Sequence, residues 1–473
     1  MQRKLPWEKG VSTQKLPWKK GKIVLKLPLK KGNMLKRKIE QTLLEWKQSP
    51  DKKPLVIKGC RQCGKTFSVL NFAKSQYRHV VYLNFMQEPR LSVAFEDSLS
   101  IDNIIMSITA MMGVTFEPGH TCIIFDEVQE CPLARTSLKF FKIDGRYDVI
   151  ATGSLLGVRG YGGKKDIRAA IPVGYETVVD MFPLDFEEFL WANGITEQII
   201  GHLADSLSNL QPVNAALHQR FRQLLLQYTI VGGMPEAVNE FVNSHDITRV
   251  QAVQRSIIAG YEEDMVKYAL DNDKSKIREC FEAIPRQLSK ENKKFQYSLI
   301  KVGGKSAHYQ GALQWIEDAG VIKRCRNLEI PELPLDGYAI DNVFKVYMAD
   351  TGLFVALLEQ GTAANILRGD LFGYKGAIFE NLVADILGKM GRKLYYYRKE
   401  SGLEIDFVMR YQGQCTLVEV KATSGNIKSA RTILNHPEKY HVTQAIKLGD
   451  YNIGRKDQVL TLPTYLAFLL KEY

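Results

Sequence analysis

The stretch PLVIKGCRQCGKTFSVLNFA, residues 54–73, decides the fold of the N-terminal part of the chain. Residues 55–57 form an apolar run with the length of a short buried strand. Residues 59–66 follow the pattern G-x-x-x-x-G-K-[ST], and helix-compatible residues continue after them. Strand, glycine-rich loop and helix in this order predict a loop whose main chain closes around phosphate groups.

The residue types of this loop suit phosphate binding. Its glycines let backbone N–H groups approach phosphate oxygens, and the helix N-terminus adds its positive dipole. We expect Lys65 to reach the terminal phosphates and Thr66 to ligate Mg²⁺. The expected nucleotide contacts cover the whole segment, which comprises Gly59, Cys60, Arg61, Gln62, Cys63, Gly64, Lys65, Thr66 and Phe67.

The same loop contains a C-x-x-C pair, Cys60 and Cys63, a spacing also found in redox and zinc sites. A second pair that could complete a zinc site is missing from the sequence, so we interpret both cysteines as loop residues. The seven cysteines of the chain show no framework spacing. A reducing, cytoplasmic compartment is therefore expected.

A second apolar run, residues 121–125, ends in Asp126-Glu127. We expect Asp126 to hold Mg²⁺, directly or through water, and Glu127 to polarise the water that attacks the γ-phosphate. A third run, residues 148–154, ends in hydroxyl side chains. Thr152 or Ser154 is expected to sense the γ-phosphate, since strand ends face the ligand in open α/β sheets. A helix N-cap is the alternative role for Ser154.

Four apolar runs alternate with helical stretches in this part of the chain, near residues 55–58, 80–84, 121–125 and 148–152. This alternation predicts a parallel sheet with helices on both faces. Together with the loop, it predicts a domain that binds ATP and hydrolyses it with Mg²⁺.

The C-terminal part contains LEIDFVMRYQGQCTLVEVKAT, residues 403–423. Strand alternation places Glu419 and Lys421 on one face, and Asp406 on the adjoining strand faces the same way. Two carboxylates can bind one Mg²⁺ while Lys421 orients water, and Glu380 on the preceding helix could add a third acid. Three readings stay open: a metal-dependent nuclease, a related fold that binds without cutting, and a structural hairpin.

Between these parts, residues 275–330 read as helices followed by a strand-like stretch. Helix, helix and β-wing in this order predict a winged helix. Its lysines could meet DNA phosphates, or they could form the solvated face of a connecting unit; they are Lys290, Lys293, Lys294, Lys301 and Lys305.

Charge is distributed unevenly along the chain. The formal net charge is +12, and residues 1–33 contribute most of it, with ten Lys or Arg against one Glu. This segment repeats the pattern KLP every 11 residues. We expect it to be disordered, or to precede a true start at Met34. The remaining chain is close to neutral, so net charge says little about partners, and no apolar run approaches the roughly 18 residues of a membrane span.

Several separated motifs resemble the bacterial and archaeal AAA-like P-loop ATPases that carry a C-terminal domain of unknown function (type 4143). The resemblance runs from about Met34 to about residue 450. It implies a winged helix in the middle and a restriction-endonuclease-like core at the end. The motifs are GCRQCGKT, IIFDEVQE, ATGSLLGV, MFPLDFEEFLWA, IVGGMPEAV, YEEDMVKY, KVYMADTGLF, GAIFENLVA and the stretch around Asp406.

The expected fold class is α/β, with a P-loop NTPase sheet, a helical and winged-helix region and a restriction-endonuclease-like domain. The expected boundaries are 1–33 for the basic repeat, 34–195 for the ATPase domain, 196–335 for the helical region and 336–473 for the C-terminal domain.

The function expected from the sequence is ATP hydrolysis coupled to action on DNA. The alternative is a nucleotide-dependent switch that binds protein partners and carries an inactive nuclease-like domain. ATP and DNA are the expected partners. No association with a membrane is expected, and assembly into a homo-oligomer is an open alternative. An arginine that assists hydrolysis is expected from a neighbouring subunit or from Arg159 or Arg168.

Overall fold

A computed structural model of the chain describes residues 34–154, 170–268, 273–290, 294–370, 374–422 and 425–472. The basic repeat, Arg159, Arg168 and Lys293 lie outside these ranges. Among the helices within them, none is both long enough and apolar enough to cross a membrane.

The N-terminal part is built on a five-stranded sheet whose strands are all parallel, in the order β2-β3-β4-β1-β5. The strands are β1 (Leu55–Lys58), β2 (His79–Asn84), β3 (Thr121–Asp126), β4 (Asp148–Gly153) and β5 (Thr177–Asp180). The predicted parallel sheet is confirmed. Strand β5 was not predicted, because it is four residues long and largely exposed, which leaves no clear alternation to detect.

Helices cover both faces of this sheet. They are α1 (Ile39–Gln48), α2 (Lys65–Gln76), α3 (Ile101–Met112) and α4 (Pro132–Asp144). Because side chains alternate between the two faces of a strand, Val56 packs in the apolar cluster that contains residues of α3 and α4. Its neighbours Leu55 and Ile57 enter the cluster that contains α1 and α2 residues. Strands β1, β3 and β4 are therefore buried on both faces, as their continuous apolar runs indicate.

A helical region follows the sheet. Its helices are α5 (Phe186–Ala192), α6 (Glu197–Ser208), α7 (Ala215–Val231), α8 (Pro235–Ser244), α9 (Ile247–Tyr268), α10 (Lys274–Leu288) and α11 (Ser306–Asp318). Helix α5 begins with a reciprocal capping box between Asp185 and Glu188. Helix α8 starts at Pro235, where the missing N–H costs no helical hydrogen bond.

The C-terminal part contains an eight-stranded mixed sheet in the order β12-β13-β11-β10-β9-β8-β6-β7. Its strands are β6 (Ile322–Leu328), β7 (Ala339–Met348), β8 (Leu394–Arg398), β9 (Glu404–Tyr411), β10 (Gln414–Val420), β11 (Gln444–Gly449), β12 (Gly454–Lys456) and β13 (Val459–Pro463). The helices around it are α12 (Thr351–Ala356), α13 (Thr362–Arg368), α14 (Lys375–Lys389), α15 (Lys428–Leu434) and α16 (Pro437–Tyr440).

The predicted winged helix appears in part. Helices α10 and α11 precede an antiparallel pair, β6 and β7, in the expected order. This pair is not a free wing, because β6 also pairs in parallel with β8 of the large sheet. The boundary expected at residue 335 falls between two paired strands, so the domain division and the winged helix both stay predictions.

A buried polar network joins the helical region to the C-terminal part. The ammonium of Lys389 lies 3.2 Å from Asp350 Oδ2 and 2.8 Å from Asp385 Oδ1, and it donates to the Tyr228 hydroxyl at 3.0 Å. Asp350 also accepts a hydrogen bond from the Gly233 N–H at 2.7 Å. A Cβ atom at Gly232 would lie 2.1 Å from Asp350 Oδ1, so the turn before α8 requires glycine there.

Candidate nucleotide-binding site

The glycine-rich loop connects β1 to α2 at the carboxyl edge of the parallel sheet. Gly64 has a φ of +98° and directly precedes α2, a conformation that favours glycine. A Cβ atom at Gly59 would lie 2.0 Å from the Met181 carbonyl oxygen. Both glycines of the motif are therefore fixed by backbone geometry, and the loop is a compact turn in front of a helix N-terminus.

Lys65 lies inside this turn. Its ammonium donates to the carbonyl oxygens of Gly59 at 2.9 Å and Cys60 at 2.8 Å, and the residue is only 6% exposed. Phe67 follows in the first turn of α2 and is 42% exposed. The Lys65 ammonium is thus held by the carbonyls of Gly59 and Cys60 at the start of the loop.

Asp126 is held at the end of β3 by four donors. Thr66 donates to Oδ1 at 2.9 Å, and the Thr152 hydroxyl donates to the same oxygen. Tyr82 and Asn84 donate to Oδ2 at 2.6 and 3.0 Å. Thr66, Asp126 and Thr152 are brought together as the sequence analysis expected.

Tyr82 and Asn84 were missed by the sequence analysis. Both lie at alternate positions near the end of β2, which pairs with β3, so their side chains face the same way. Burial and the neighbouring Asp126 carboxylate raise the pKa of Tyr82, which keeps its hydroxyl a donor. Polar residues at alternate positions in an otherwise apolar run are the signal that could have identified them.

The oxygen atoms at this point fit a magnesium ion. Mg²⁺ prefers oxygen ligands and usually combines one or two protein oxygens with phosphates and water. The Thr66 hydroxyl and the Asp126 carboxylate supply such oxygens side by side. Within the described ranges no group of three or more His, Cys, Asp or Glu is placed so that it could hold a metal ion.

Glu127 adopts a left-handed backbone conformation with φ of +52° directly after β3. Its Oε2 accepts from Gln129 Nε2 at 2.5 Å and from the Ser154 hydroxyl at 3.4 Å. Non-glycine residues in this region are uncommon and often occur at functional sites. The conformation turns the carboxylate towards Ser154, which directly follows β4.

Arg37 supports the loop from the chain's N-terminal side. Its guanidinium donates to the carbonyls of Cys63 at 2.9 Å and Phe182 at 2.7 Å, and Nε lies 3.1 Å from Glu188 Oε1. The residue is 7% exposed. Sequence patterns gave no indication of this role, because the partners lie up to 151 residues away.

Helix α9 and the turn after α11 lie against the top of the loop. The Tyr261 hydroxyl donates to the Arg61 carbonyl at 3.0 Å, and the Arg61 guanidinium forms an ion pair with Asp264. Gly320, with φ of +74°, packs against Cys60, and a Cβ there would lie 3.3 Å from Cys60 atoms. The motif YEEDMVKY, residues 261–268, was noticed in the sequence, but its contact with the loop was not predicted.

The two loop cysteines are buried free thiols. Their mutual hydrogen bond, together with burial, raises the pKa of Cys60. The same hydrogen bond, with Lys65 and Arg37 nearby, lowers the pKa of Cys63 to about 6. Both cysteines are therefore buried residues of the phosphate loop, in line with their interpretation from the sequence as loop residues.

The acidic residues Asp406 and Glu419 lie next to each other on two neighbouring inner strands of the C-terminal sheet. Strands β9 and β10 pair antiparallel with Phe407 opposite Val418, so Asp406 and Glu419 adjoin on the same face. Asp406 accepts from the Val420 N–H at 2.8 Å, and Glu419 Oε2 lies 2.6 Å from the Lys421 ammonium. Burial and the neighbouring Glu380 carboxylate raise the pKa of Asp406 to about 7.

A lysine that the sequence analysis missed lies among these acids. The Lys345 side chain is 0% exposed, and its ammonium lies 2.9 Å from Glu380 Oε1 and 2.8 Å from Glu404 Oε1. The Tyr347 hydroxyl also donates to Glu380. Glu380 therefore faces Lys345 and Tyr347, and Lys345 adds a second ammonium, besides the expected Lys421, to this group of acids.

Comparison with known proteins divides the chain into three matched segments. Residues 51–190 match the model of an AAA domain, and residues 375–465 match a domain of unknown function (DUF4143). Residues 222–364 match a further domain of unknown function (DUF8612). One similar solved structure is the Walker-type ATPase PABY2304 of Pyrococcus abyssi, at 14% identity and a TM-score of 0.41, covering 68% of this chain and 96% of that one. No curated protein matches the chain.

The parallel sheet and the phosphate loop, with the match of residues 51–190 to an AAA domain, define this part of the chain as a P-loop ATPase domain. More particularly, residues 51–190 match an AAA domain and residues 375–465 match a DUF4143 domain, the two parts that the resemblance implied. ATP binding and hydrolysis follow as the general activity of the chain. The restriction-endonuclease-like assignment, the homo-oligomer and the cytoplasmic location stay predictions.

Proposed function

We propose that the chain hydrolyses ATP with Mg²⁺ at the loop between β1 and α2 and couples turnover to action on DNA. The observation that carries the first part is the hydrogen bond of 2.9 Å between Thr66 and Asp126. It joins the hydroxyl that follows the loop lysine to the carboxylate that ends β3. Such a pair is how P-loop enzymes hold the cation that accompanies their nucleotide.

The proposed roles follow from position. The Lys65 ammonium exchanges the Gly59 and Cys60 carbonyls for β- and γ-phosphate oxygens, which are stronger acceptors because they are ionised. Thr66 and Asp126 would hold Mg²⁺, which neutralises phosphate charge when bound. Glu127 orients the attacking water and accepts its proton.

Support for DNA as a partner comes from the segment before α11. Lys301 and Lys305 are exposed, and among the residues that the structure describes neither has an ion-pair partner. Val302 between them is fully exposed, at 100%. Lysines of this kind neutralise phosphates irrespective of sequence, and an apolar tip can contact bases or sugars.

We expect the double substitution Lys301→Glu and Lys305→Glu to weaken DNA binding and any DNA-stimulated ATP turnover. The slope of log affinity against log salt should fall by roughly one for each lysine removed. The measurement is a salt series of fluorescence anisotropy on labelled duplex and single-stranded DNA, with phosphate release measured in parallel.

The matched control changes the same charge on the exposed strand β12, through Arg455→Glu and Lys456→Glu. Equal losses in both double variants would mean that only net charge matters. A parent protein that neither binds DNA nor turns over ATP faster in its presence contradicts the DNA part of the proposal. Basal ATP turnover tests the nucleotide site independently of that result.

Lys345 favours a second candidate, a nucleotide-controlled switch whose C-terminal domain does not cut. An ammonium beside Glu380 and Glu404 offsets the carboxylate charge that would otherwise attract a divalent cation. Burial and the neighbouring Glu380 carboxylate also raise the pKa of Asp406, and a proton competes with a metal for the carboxylate.

If the protein is a nucleotide-controlled switch, we expect the parent protein not to cleave supercoiled plasmid in the presence of ATP and either Mg²⁺ or Mn²⁺. Mn²⁺ binding, followed by electron paramagnetic resonance, should depend on nucleotide and be insensitive to Asp406→Asn. Nicking or linearisation by the parent that disappears in Asp406→Asn, with ATP turnover intact, would restore the nuclease reading. Lys428→Gln, an exposed change on nearby α15, serves as the control for preparation-borne nucleases.

A further inference from the structure

Arg61 occupies the middle of the phosphate loop, and none of the roles assigned so far uses its side chain. Arg61 lines a cavity of about 20 Å³ together with Ser154, Tyr261, Asp264 and Trp315. Ser154 directly follows β4, the strand beside β1 in the sheet. A cavity of this size holds about one water molecule.

Ser154 connects this cavity to Glu127. The Ser154 hydroxyl lies 3.4 Å from Glu127 Oε2, and Ser154 also lines the cavity that Arg61 lines. The carboxyl edge of a parallel sheet is where the terminal phosphate of a bound nucleotide faces the protein. Arg61 therefore stands on the side of the loop where charge changes during hydrolysis.

Phosphoryl transfer gains from an arginine at this position. Positive charge beside the equatorial γ-phosphate oxygens is worth about 10³–10⁵ in rate in P-loop enzymes. The buried Arg37 contacts the same loop, but its donors reach Cys63, Phe182 and Glu188 on another side. Among the arginines seen to contact the loop in the described ranges, Arg61 is the one beside Ser154.

Two residues of α9 restrain Arg61. Asp264, a buried carboxylate, forms an ion pair with its guanidinium, and Tyr261 fixes its carbonyl at 3.0 Å. A γ-phosphate carries more negative charge than one carboxylate and accepts a guanidinium in the same forked geometry. The ion pair can therefore be exchanged for a phosphate contact at small cost.

We propose that Arg61 is a catalytic residue: on ATP binding its guanidinium moves from Asp264 to the γ-phosphate and stabilises the charge that develops there. The proposal rests on ATP hydrolysis at this site. Water forms a bond to the γ-phosphorus while the bond from that phosphorus to the β–γ bridging oxygen breaks. Glu127 accepts one water proton, and the products are ADP and inorganic phosphate. Arg61 stays protonated throughout, so it acts through charge and hydrogen bonds alone.

The first experiment compares Arg61→Gln and Arg61→Lys with Arg255→Gln, an exposed substitution on α9. We expect Arg61→Gln to lower kcat by about 10³-fold or more, with affinities for ATP and ADP changed less than about tenfold. Binding of ADP with aluminium fluoride, which imitates the transferring phosphoryl group, should be lost. Arg61→Lys should restore little of the rate, because an ammonium lacks the planar fork. Arg255→Gln should match the parent.

Two results overturn the proposal. One is a kcat of Arg61→Gln within threefold of the parent. The other is an equal loss of affinity for ADP, ATP and the aluminium fluoride complex, which would mean that Arg61 only shapes the loop. If instead the parent shows no ATP turnover, ATP hydrolysis itself is contradicted, so the two failures are distinguishable.

The second experiment tests the exchange of partners. Asp264→Asn removes the charge that competes for Arg61, so affinity for ATP should rise several-fold while affinity for ADP stays within twofold. Glu263→Gln removes an exposed carboxylate one residue away and should change neither affinity. If Asp264→Asn binds ATP as tightly as the parent or more weakly, Asp264 does not compete with the γ-phosphate for the Arg61 guanidinium.

Discussion

Replacing Lys65 by alanine is expected to lower ATP turnover about 100- to 1,000-fold, because it removes a charged donor aimed at the transferring phosphate. The ammonium lies inside the loop and is 6% exposed, so no solvent-exposed side chain can take its place. ATP affinity should fall as well, since the contact with the terminal phosphates is present before hydrolysis. Phosphate release at saturating ATP and titration with a fluorescent nucleotide measure the two effects.

Lys74→Ala provides the matched control for this prediction. Lys74 lies on the same helix α2, is exposed, and follows Lys65 by nine positions. Its turnover should equal that of the parent. Hydrolysis by Lys65→Ala at the parent's rate would refute the assignment of the loop, whereas equal losses in both variants would point to damage of the helix.

The largest expected effect on stability comes from Lys389→Met. The side chain is fully buried between Asp350 and Asp385, and its removal leaves two buried carboxylates without a cation. Breaking a buried pair in this way costs roughly 3–5 kcal/mol of unfolding free energy. Urea denaturation followed by tryptophan fluorescence measures it, and ATP turnover near the denaturation midpoint shows whether both halves are lost together.

The pH dependence of this loss has a definite sign. Burial raises the pKa of Asp385 to about 6 even with Lys389 present, so its protonated form favours the folded state. Stability from this group is present below about pH 4 and is lost as pH rises through about 6. Without Lys389 the shift grows, and the deficit of the variant should be smaller at pH 5 than at pH 8.

Lys393→Met is the control for the stability prediction. Lys393 pairs with Asp336 at the surface, and both side chains are exposed. Exposed pairs of this kind contribute about 0–1 kcal/mol. A deficit of similar size in both variants, or one in Lys389→Met that does not depend on pH, would contradict the role given to the buried network.

The sequence predicted those parts of the site that local rules determine. The spacing from Gly59 to Thr66 requires a turn and a helix start, and an apolar run ending in Asp126 requires a buried strand with its acid at the sheet edge. Parallel order then brings Thr66, Asp126 and Thr152 together without further information. These features depend on periodicity and steric limits that act over a few residues.

Long-range polar contacts could not be predicted in the same way. Tyr261 meets the Arg61 carbonyl across 200 residues, and Lys345 meets Glu380 across 35. Nothing in the neighbourhood of a lysine indicates whether it is solvated or buried against a distant carboxylate, because lysine is usually exposed. The stretch that forms β6 was likewise assigned to a separate wing, since its pairing with β8 depends on residues some 70 positions later.

The contact between Arg37 and the loop limits how the protein can be redesigned. Arg37 lies two positions before the first residue of α1. Its guanidinium donates hydrogen bonds to the carbonyl oxygens of Cys63 and Phe182. An affinity tag fused ahead of Met34 keeps this support in place. A version trimmed to begin at β1 would discard it, although every residue of the nucleotide motif would remain. Truncated forms of the ATPase domain should therefore begin early enough in the chain to keep Arg37.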